Sequence, residues 1–254
     1  MELNVEVLLT PADCQARQVR GFTGEVCVVL DVLRATSVMV TGLANGARGF
    51  VPVEEIAEAV TLRRQMPGAL LAGEREGLRI TAAQSGGVDF DLGNSPREYV
   101  TARVADRTII STTTNGTRAL RSCASAQAVA VGSFLNLTAT ANWLLRQKAH
   151  HLALVCAGTG DAAALEDILC AGAFCDQLVT ATNRVTLADS AEVALRVYRT
   201  AAADLFSAAG ASQNGRRLLA NPELGGDVAF CLQRDILPLV ALLGRDGVVR
   251  SQVV

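Results

Sequence analysis

A layered α/β/α protein built on a mixed or mostly parallel sheet is the fold class this sequence predicts. Two observations carry that prediction. Short β-branched runs such as EVCVVL and HLALVCA have the length and continuous apolarity of strands buried on both faces. Each is followed by a polar loop and then by a helical pattern, and this strand–loop–helix order recurs four or five times.

Taken in order, residues 3–9 alternate loosely and read as a first strand, and residues 25–30 as a central buried one. The stretch SVMVTGLANGA reads as a helix capped by Thr36 or Ser37 and stopped at Asn45-Gly46. Residues 48–53 form a short strand, and 53–66 an amphipathic helix ended by Pro67-Gly68. Residues 69–72 are a strand running into GEREG. Residues 80–94 lack periodicity and read as a long loop, of the kind that more often carries function.

Ser95 caps a short helix over 96–102, with Pro96 at its first position. Strands are expected at 108–112, 128–132 and 151–157, and helices at 115–123, 137–147 and after GTGDAA. Residues 189–206 are helical, 207–214 a soft loop, and 214–219 a further helix. Asp227 to Leu232 is a short segment, and 237–243 with 247–253 closes the chain. No repeat or linker divides the sequence cleanly. The whole of 1–254 reads as a single unit, with a weak boundary near 148–150 that would split it into two α/β subdomains.

Composition narrows the function. Apolar residues make up 50% of 254, enough for a sizeable core, while aromatics are only 4%. Net charge is -2, and basic residues are scattered, so neither a polyanion-binding face nor base-stacking platforms are expected and nucleic acid is excluded as a partner. The N-terminus lacks the basic, then apolar, pattern of a leader, and no apolar run is long enough to span a membrane. Seven cysteines without a CxxC read as buried free thiols in a reducing compartment, so a cytoplasmic protein with no membrane partner is expected. Apolar helices such as 191–206 leave a homo-oligomer open.

Open α/β sheets bind ligands at the carboxyl ends of their strands, and polar clusters stand at those places here. In DVLRATS, Asp31 leaves a buried strand and Arg34 follows by three; the plain alternative is a turn cap beside a solvent-facing arginine. In AGEREG, Glu74 sits between glycines that permit close approach, or belongs to a charged turn. In FDLGNSPREY, Asp91, Asn94 and Ser95 can satisfy local donors, and Gly93 is expected in a left-handed conformation.

In STTTNGTRAL, hydroxyls of the run to Thr117 and free N–H groups at Gly116 and Thr117 form a cradle for an anion, with Arg118 adding charge. Thr113 and Asn115 belong to the same cradle. Glu166 and Asp167 lie in an otherwise apolar helix, where carboxylates need a partner or a metal, or else serve as helix caps. Asp227 follows two glycines and is either a further ligand or a turn residue. The carboxylates Asp31, Glu74, Glu166, Asp167 and Asp227 form an oxygen-rich set that suits Mg²⁺. Two histidines at a strand start make a zinc centre improbable, and no GxxxxGK[ST], GxGxxG or GxSxG is present.

The stretches VVLDVLRATSVMVTGL, LLAGEREG, FDLGNSPREY, STTTNGTRAL and AGTGDAAALEDILCAG, with the later NGRRLL and FCLQRD, resemble the 2-phosphosulfolactate phosphatase family over nearly the whole chain. The stretch from Leu78 to Val88 departs from that family's pattern. The resemblance implies the family's own α/β fold in a single phosphatase unit. It implies Mg²⁺-dependent hydrolysis of (2R)-2-phospho-3-sulfolactate to (2R)-3-sulfolactate and phosphate, a step that serves coenzyme M biosynthesis in methanogens.

On this reading Asp31, Glu166, Asp167 and Arg34 are catalytic. Arg34, Glu74, Asn94, Thr113, Asn115, Gly116, Thr117 and Arg118 bind the small anionic substrate. Asp31, Glu74, Glu166, Asp167 and Asp227 surround the metal. Asp31 as a covalent nucleophile is the alternative, since DVLRAT superficially resembles the start of haloacid-dehalogenase-type phosphatases, although Leu33 stands where their second aspartate lies. A phosphatase for another small anionic metabolite and a non-catalytic anion binder are the competing functions.

Overall fold

The computed structural model describes residues 2–252, so the expected strand end at Val253 lies outside it. The elements run β1 (Leu3–Leu8), α1 (Pro11–Arg20), β2 (Val26–Leu30), α2 (Ala35–Ala44), β3 (Gly49–Pro52), α3 (Ile56–Gln65), β4 (Leu70–Arg75), β5 (Leu78–Arg79) and α4 (Ala82–Ser85). They continue with α5 (Thr101–Val104), β6 (Thr108–Thr112), α6 (Gly116–Ser122), β7 (Ala128–Gly132), α7 (Leu137–Arg146), β8 (His151–Cys156), α8 (Leu165–Ala181) and β9 (Val185–Leu187). The last are α9 (Asp189–Ala201), α10 (Leu205–Gly210), α11 (Gln213–Leu219), α12 (Gly225–Cys231), β10 (Val240–Leu243) and β11 (Val249–Gln252).

The strands form one mixed sheet in the order β5-β4-β6-β3-β11-β10-β7-β2-β8-β1-β9. Strands β4, β6 and β3 are mutually parallel, and so are β7, β2, β8, β1 and β9. The hairpin β10–β11 lies between these blocks and pairs antiparallel with both. Three successive antiparallel pairings mean that the two blocks run in opposite directions. β8 pairs with both β1 and β2, so the segments on either side of 148–150 share one block of the sheet.

Helices cover both faces, and β2 shows why its sequence is apolar throughout. Val26, Val28 and Leu30 enter the core with α7, α8 and α9, while Cys27 and Val29 enter the core with α1, α2 and α6. A third core joins α3 to β4 and β6 through Ala59, Val60, Leu71 and Ile110. α2 is buried from Ala35 to Leu43, as an almost uniformly apolar helix must be. No helix among the described residues is long and apolar enough to cross a membrane.

Several local expectations are corrected. Residues 10–21, to which the sequence reading assigns no element, hold α1, set by a capping box between Thr10 and Asp13 with Pro11 in the first turn. The cap of α2 falls at Arg34, and the first helical N–H, that of Ala35, donates to Asp31 Oδ1 at 3.1 Å. Thr36 and Ser37 instead direct their hydroxyls to the carbonyls of Asp31 and Val32. Residues 96–102 are a 3-10 turn at Pro96–Glu98 followed by the start of α5. Ser95 does not cap it with its side chain; its hydroxyl donates to Asp227 Oδ1 at 2.7 Å.

The loop expected at 207–214 is largely α10 and the start of α11, capped by Asp204 and Ser212. The segment at Asp227 is helical. The long loop at 80–94 contains the one-turn helix α4, and Gly93 is not in the left-handed region.

α8 and α9 pack closely at Gly172. A Cβ there would lie 2.1 Å from the Ala194 carbonyl oxygen and 2.5 Å from Tyr198 Cβ. Gly172→Ala is therefore expected to lower unfolding stability by about 1–3 kcal/mol through overpacking. Urea denaturation checks this, and a midpoint equal to that of the unsubstituted protein would contradict the close packing.

Candidate functional site

Carboxyl ends of strands from both blocks open into one cavity of about 360 Å³. Asp31 and Arg34 follow β2, Glu74 and Arg75 end β4, and Gly158 to Gly160 follow β8. The β6–α6 connection carries Thr114 and Asn115 onto the same wall. It crosses between the blocks, because α6 packs on β2, α1 and β3.

Asp31 is held on one side only. Its Oδ1 accepts the Ala35 N–H, while Oδ2 lies over Gly116, where an added Cβ would come within 2.6 Å of it. Gly116 thus leaves the space that this carboxylate oxygen occupies. Burial pushes the Asp31 carboxyl from an ordinary value of 3.8 up to about 7; the Ala35 N–H opposes this, and the charges of Glu74 and Glu166 add to it. Glu74 is itself anchored by the Thr114 N–H and hydroxyl at Oε1, both 2.9 Å, and by the Gly77 N–H at Oε2, 2.7 Å.

Arg34 is buried and does not face solvent. Its Nη1 pairs with Asp227 Oδ2 at 2.7 Å, and its Nη2 donates to the Gly77 carbonyl at 2.6 Å. Asp227 also takes the Arg97 Nε–H at 2.8 Å and the Ser95 hydroxyl. Both its oxygens are therefore engaged by guanidinium groups, and it stands as an anchor for Arg34 away from the cavity wall.

Asp167 spans two strand ends. Oδ1 accepts the Val32 N–H at 2.8 Å and Oδ2 the Gly158 N–H at 3.1 Å. Its carboxyl is raised well above the ordinary range by burial, then by the charges of Glu166 and Asp31. Glu166, in the first turn of α8, accepts Asn214 Nδ2 at 2.9 Å through Oε1; its other oxygen has no protein partner among the described residues.

The threonine run is mostly spent on the protein itself. Thr113 and Thr117 exchange N–H to hydroxyl bonds at 3.3 Å, so the Thr117 N–H is not free. Thr112 bonds the Glu54 carbonyl. Asn115 reaches the cavity, but its Nδ2 donates to the carbonyls of Ala157 and Gly160. Arg118 is exposed, 3.6 Å from Glu55, and lines a smaller neighbouring pocket.

The cavity thus brings together Asp31, Arg34, Glu74, Asn94 and Asn115 of the expected residues. It adds Arg75, Thr159, Asn214 and Arg217, which were not singled out. The signal available for these was their place in AGEREG, AGTGDA and NGRRLL.

The donor chemistry fits a hard dication. The acidic donors are all oxygens, and the Glu74 and Glu166 charges both act on Asp31. No group of three or more His, Cys, Asp or Glu side chains among the described residues is arranged to hold a metal alone. Mg²⁺ commonly needs only one or two carboxylates, with waters and phosphate oxygens completing its shell.

A pH dependence follows from Asp31. Below about 3.8 the folded and unfolded chains both hold its proton; between there and about 7 only the folded chain does. Stability therefore falls as pH rises through that window. In chelator-treated protein the melting temperature is expected to fall from pH 5 to pH 8, and Asp31→Asn to reduce the slope. Equal slopes for the two proteins would contradict the raised carboxyl.

Comparison with known proteins identifies the family of the chain. Residues 9–246 match the family described as 2-phosphosulpholactate phosphatase. A probable 2-phosphosulfolactate phosphatase of Caldanaerobacter subterraneus subsp. tengcongensis is 40% identical over 228 residues, 88% of this chain and 89% of the relative. Proteins of the same description from Caldicellulosiruptor saccharolyticus and Thermotoga petrophila are each 38% identical. They cover 84% and 94% of this chain, and 86% and 95% of their own lengths. With a match of this extent, the chain belongs to the 2-phosphosulpholactate phosphatase family.

Proposed function

We propose that this protein hydrolyses (2R)-2-phospho-3-sulfolactate to (2R)-3-sulfolactate and inorganic phosphate with Mg²⁺, in the cytoplasm. The observation that carries the reading is one cavity lined by Asp31 and Glu74 together with Arg34 and Asn94. Family membership supports phosphate-ester hydrolysis, and the charges of the cavity support a substrate with several acidic groups. Seven buried free thiols support the reducing compartment.

Asp31 and Glu74 are the residues that would hold Mg²⁺, with Glu166 nearby. When bound, the ion supplies charge neutralisation for phosphate oxygens and acidifies a water. Arg34, fixed by Asp227 and the Gly77 carbonyl, presents its remaining N–H groups to the phosphoryl oxygens. Asn94, whose side chain has no protein partner among the described residues, donates to another oxygen. Water adds to phosphorus and gives up a proton, the bond from phosphorus to the C2 oxygen breaks, and that oxygen takes up a proton from solvent.

Glu166 takes the proton of the attacking water at Oε2, since Asn214 holds only Oε1. Asp167, with both oxygens on backbone N–H groups, positions the ends of β2 and β8 rather than moving a proton. Asp227 is a positioning residue for Arg34 in place of a metal ligand.

Phosphate release from the sulfolactate ester with Mg²⁺ tests the reading. Asp31→Asn is expected to lower kcat by about 10²–10³-fold, as for loss of one preorganised charge contact, with the far-UV spectrum retained. Unchanged turnover would remove Asp31 from the mechanism. Label from ¹⁸O-water entering Asp31 in a single turnover would favour the covalent route. Release from other phosphorylated hydroxy acids but not this one would reassign the substrate.

A further inference from the structure

Three guanidinium groups reach the cavity, and they differ in what already holds them. Arg34 is neutralised by Asp227. Arg75 donates to the Glu74 carbonyl at 2.7 Å, the Glu54 carbonyl at 3.1 Å and the Thr112 hydroxyl at 3.0 Å, so three of its five N–H donors are taken up at the end of β4. Arg217 makes one hydrogen bond, from Nη2 to Asn214 Oδ1 at 2.9 Å, and pairs with no carboxylate among the described residues. Four of its five N–H donors are left for a ligand.

Its placement is built from both sides. Asn214 is buried, and its Nδ2 donates to Glu166 Oε1 at 2.9 Å and to Thr159 Oγ1 at 2.7 Å. A carboxylate only accepts, so the amide nitrogen must face Glu166 and the amide oxygen is left for Arg217. On the other side lies Gly77, at φ +81°, where an added Cβ would sit 3.6 Å from the Arg217 Cζ. The guanidinium rests against bare backbone at the exposed rim, whereas Asp31, Arg34 and Glu74 lie deeper.

An unpaired, oriented guanidinium at the rim is more than a lone phosphoryl group needs, because that group is already met by Arg34 and Asn94. We propose that Arg217, oriented by Asn214, is the specificity-determining residue that binds a second acidic group, a carboxylate or sulfonate, on the carbon chain of the phosphate ester. This inference rests on the phosphatase reading of the same cavity. It assigns Arg217 to binding and leaves the phosphoryl chemistry to the floor.

Arg217→Gln tests it, with Arg217→Lys retaining the charge but losing the fork. Because Arg217 is exposed, both variants are expected to keep the melting temperature of the unsubstituted protein. For Arg217→Gln, KM for 2-phospho-3-sulfolactate is expected to rise about 10- to 100-fold, the range for losing a charge-assisted hydrogen bond, with kcat changed less than about threefold. Lysine is expected to fall between. The dissociation constant of 3-sulfolactate, measured by calorimetry with Mg²⁺ present, is expected to weaken by the same factor, and that of inorganic phosphate to stay unchanged.

An unchanged KM, or equal weakening of 3-sulfolactate and inorganic phosphate, would overturn the assignment while phosphate release by the unsubstituted protein kept the phosphatase reading intact. No phosphate release by the unsubstituted protein would overturn the phosphatase reading. The 3-sulfolactate titration would then still decide Arg217: selective weakening supports it, and no binding to the unsubstituted protein overturns it.

Discussion

Like charges held together at the carboxyl end of a buried strand are the constraint on which the cavity depends. Asp31 cannot retreat into solvent, because β2 is central and α2 starts four residues later. Its neighbours Glu74 and Glu166 arrive from β4 and α8, so three parts of the chain bring negative charge to one place. Folding against that repulsion is tolerable if protons or a cation offset it. The fold spends backbone N–H groups, at Ala35, Thr114 and Gly77, to hold the carboxylates there.

The remaining buried charges keep the walls in register. Asp167 ties the residue after Asp31 to Gly158 and so joins the mouths of β2 and β8. Asp227 receives Arg34, Arg97 and Ser95, joining the late helix α12 to the start of α2 and to the turn at residue 95. Breaking such a pair strands a charge and typically costs about 3–5 kcal/mol, far more than a surface ion pair. These contacts let two strand blocks of opposite direction share one cavity.

Much of this was legible where local chemistry decides. The strands at Thr108–Thr112 and Ala128–Gly132 coincide with the expected bounds, being short β-branched runs between polar turns. Asp31, Glu74 and Asn94 line one cavity, and their place in polar stretches near strand ends is readable in the sequence. Local reading failed where a distant partner decides. Ser95 looks like a helix cap until Asp227 arrives 132 residues later. Thr113 and Thr117 look like free donors until they are seen bonded to each other across one turn. Helix α1 carries little hydrophobic signal, because PADCQARQVR is mostly polar and buries only Cys14, and it is set by its capping box. Arg217 reaches the cavity only because Asn214, bonded to Glu166, places α11 there.

We propose that the crowded carboxylates hold a divalent cation. Titrating Mg²⁺ into the protein by calorimetry at pH 7, in two buffers of different ionisation heat, tests it directly. Binding accompanied by net proton release, lost on replacing Glu74 with Gln, is the predicted result. No detectable Mg²⁺ binding with inorganic phosphate present, or binding that releases no protons, would contradict it.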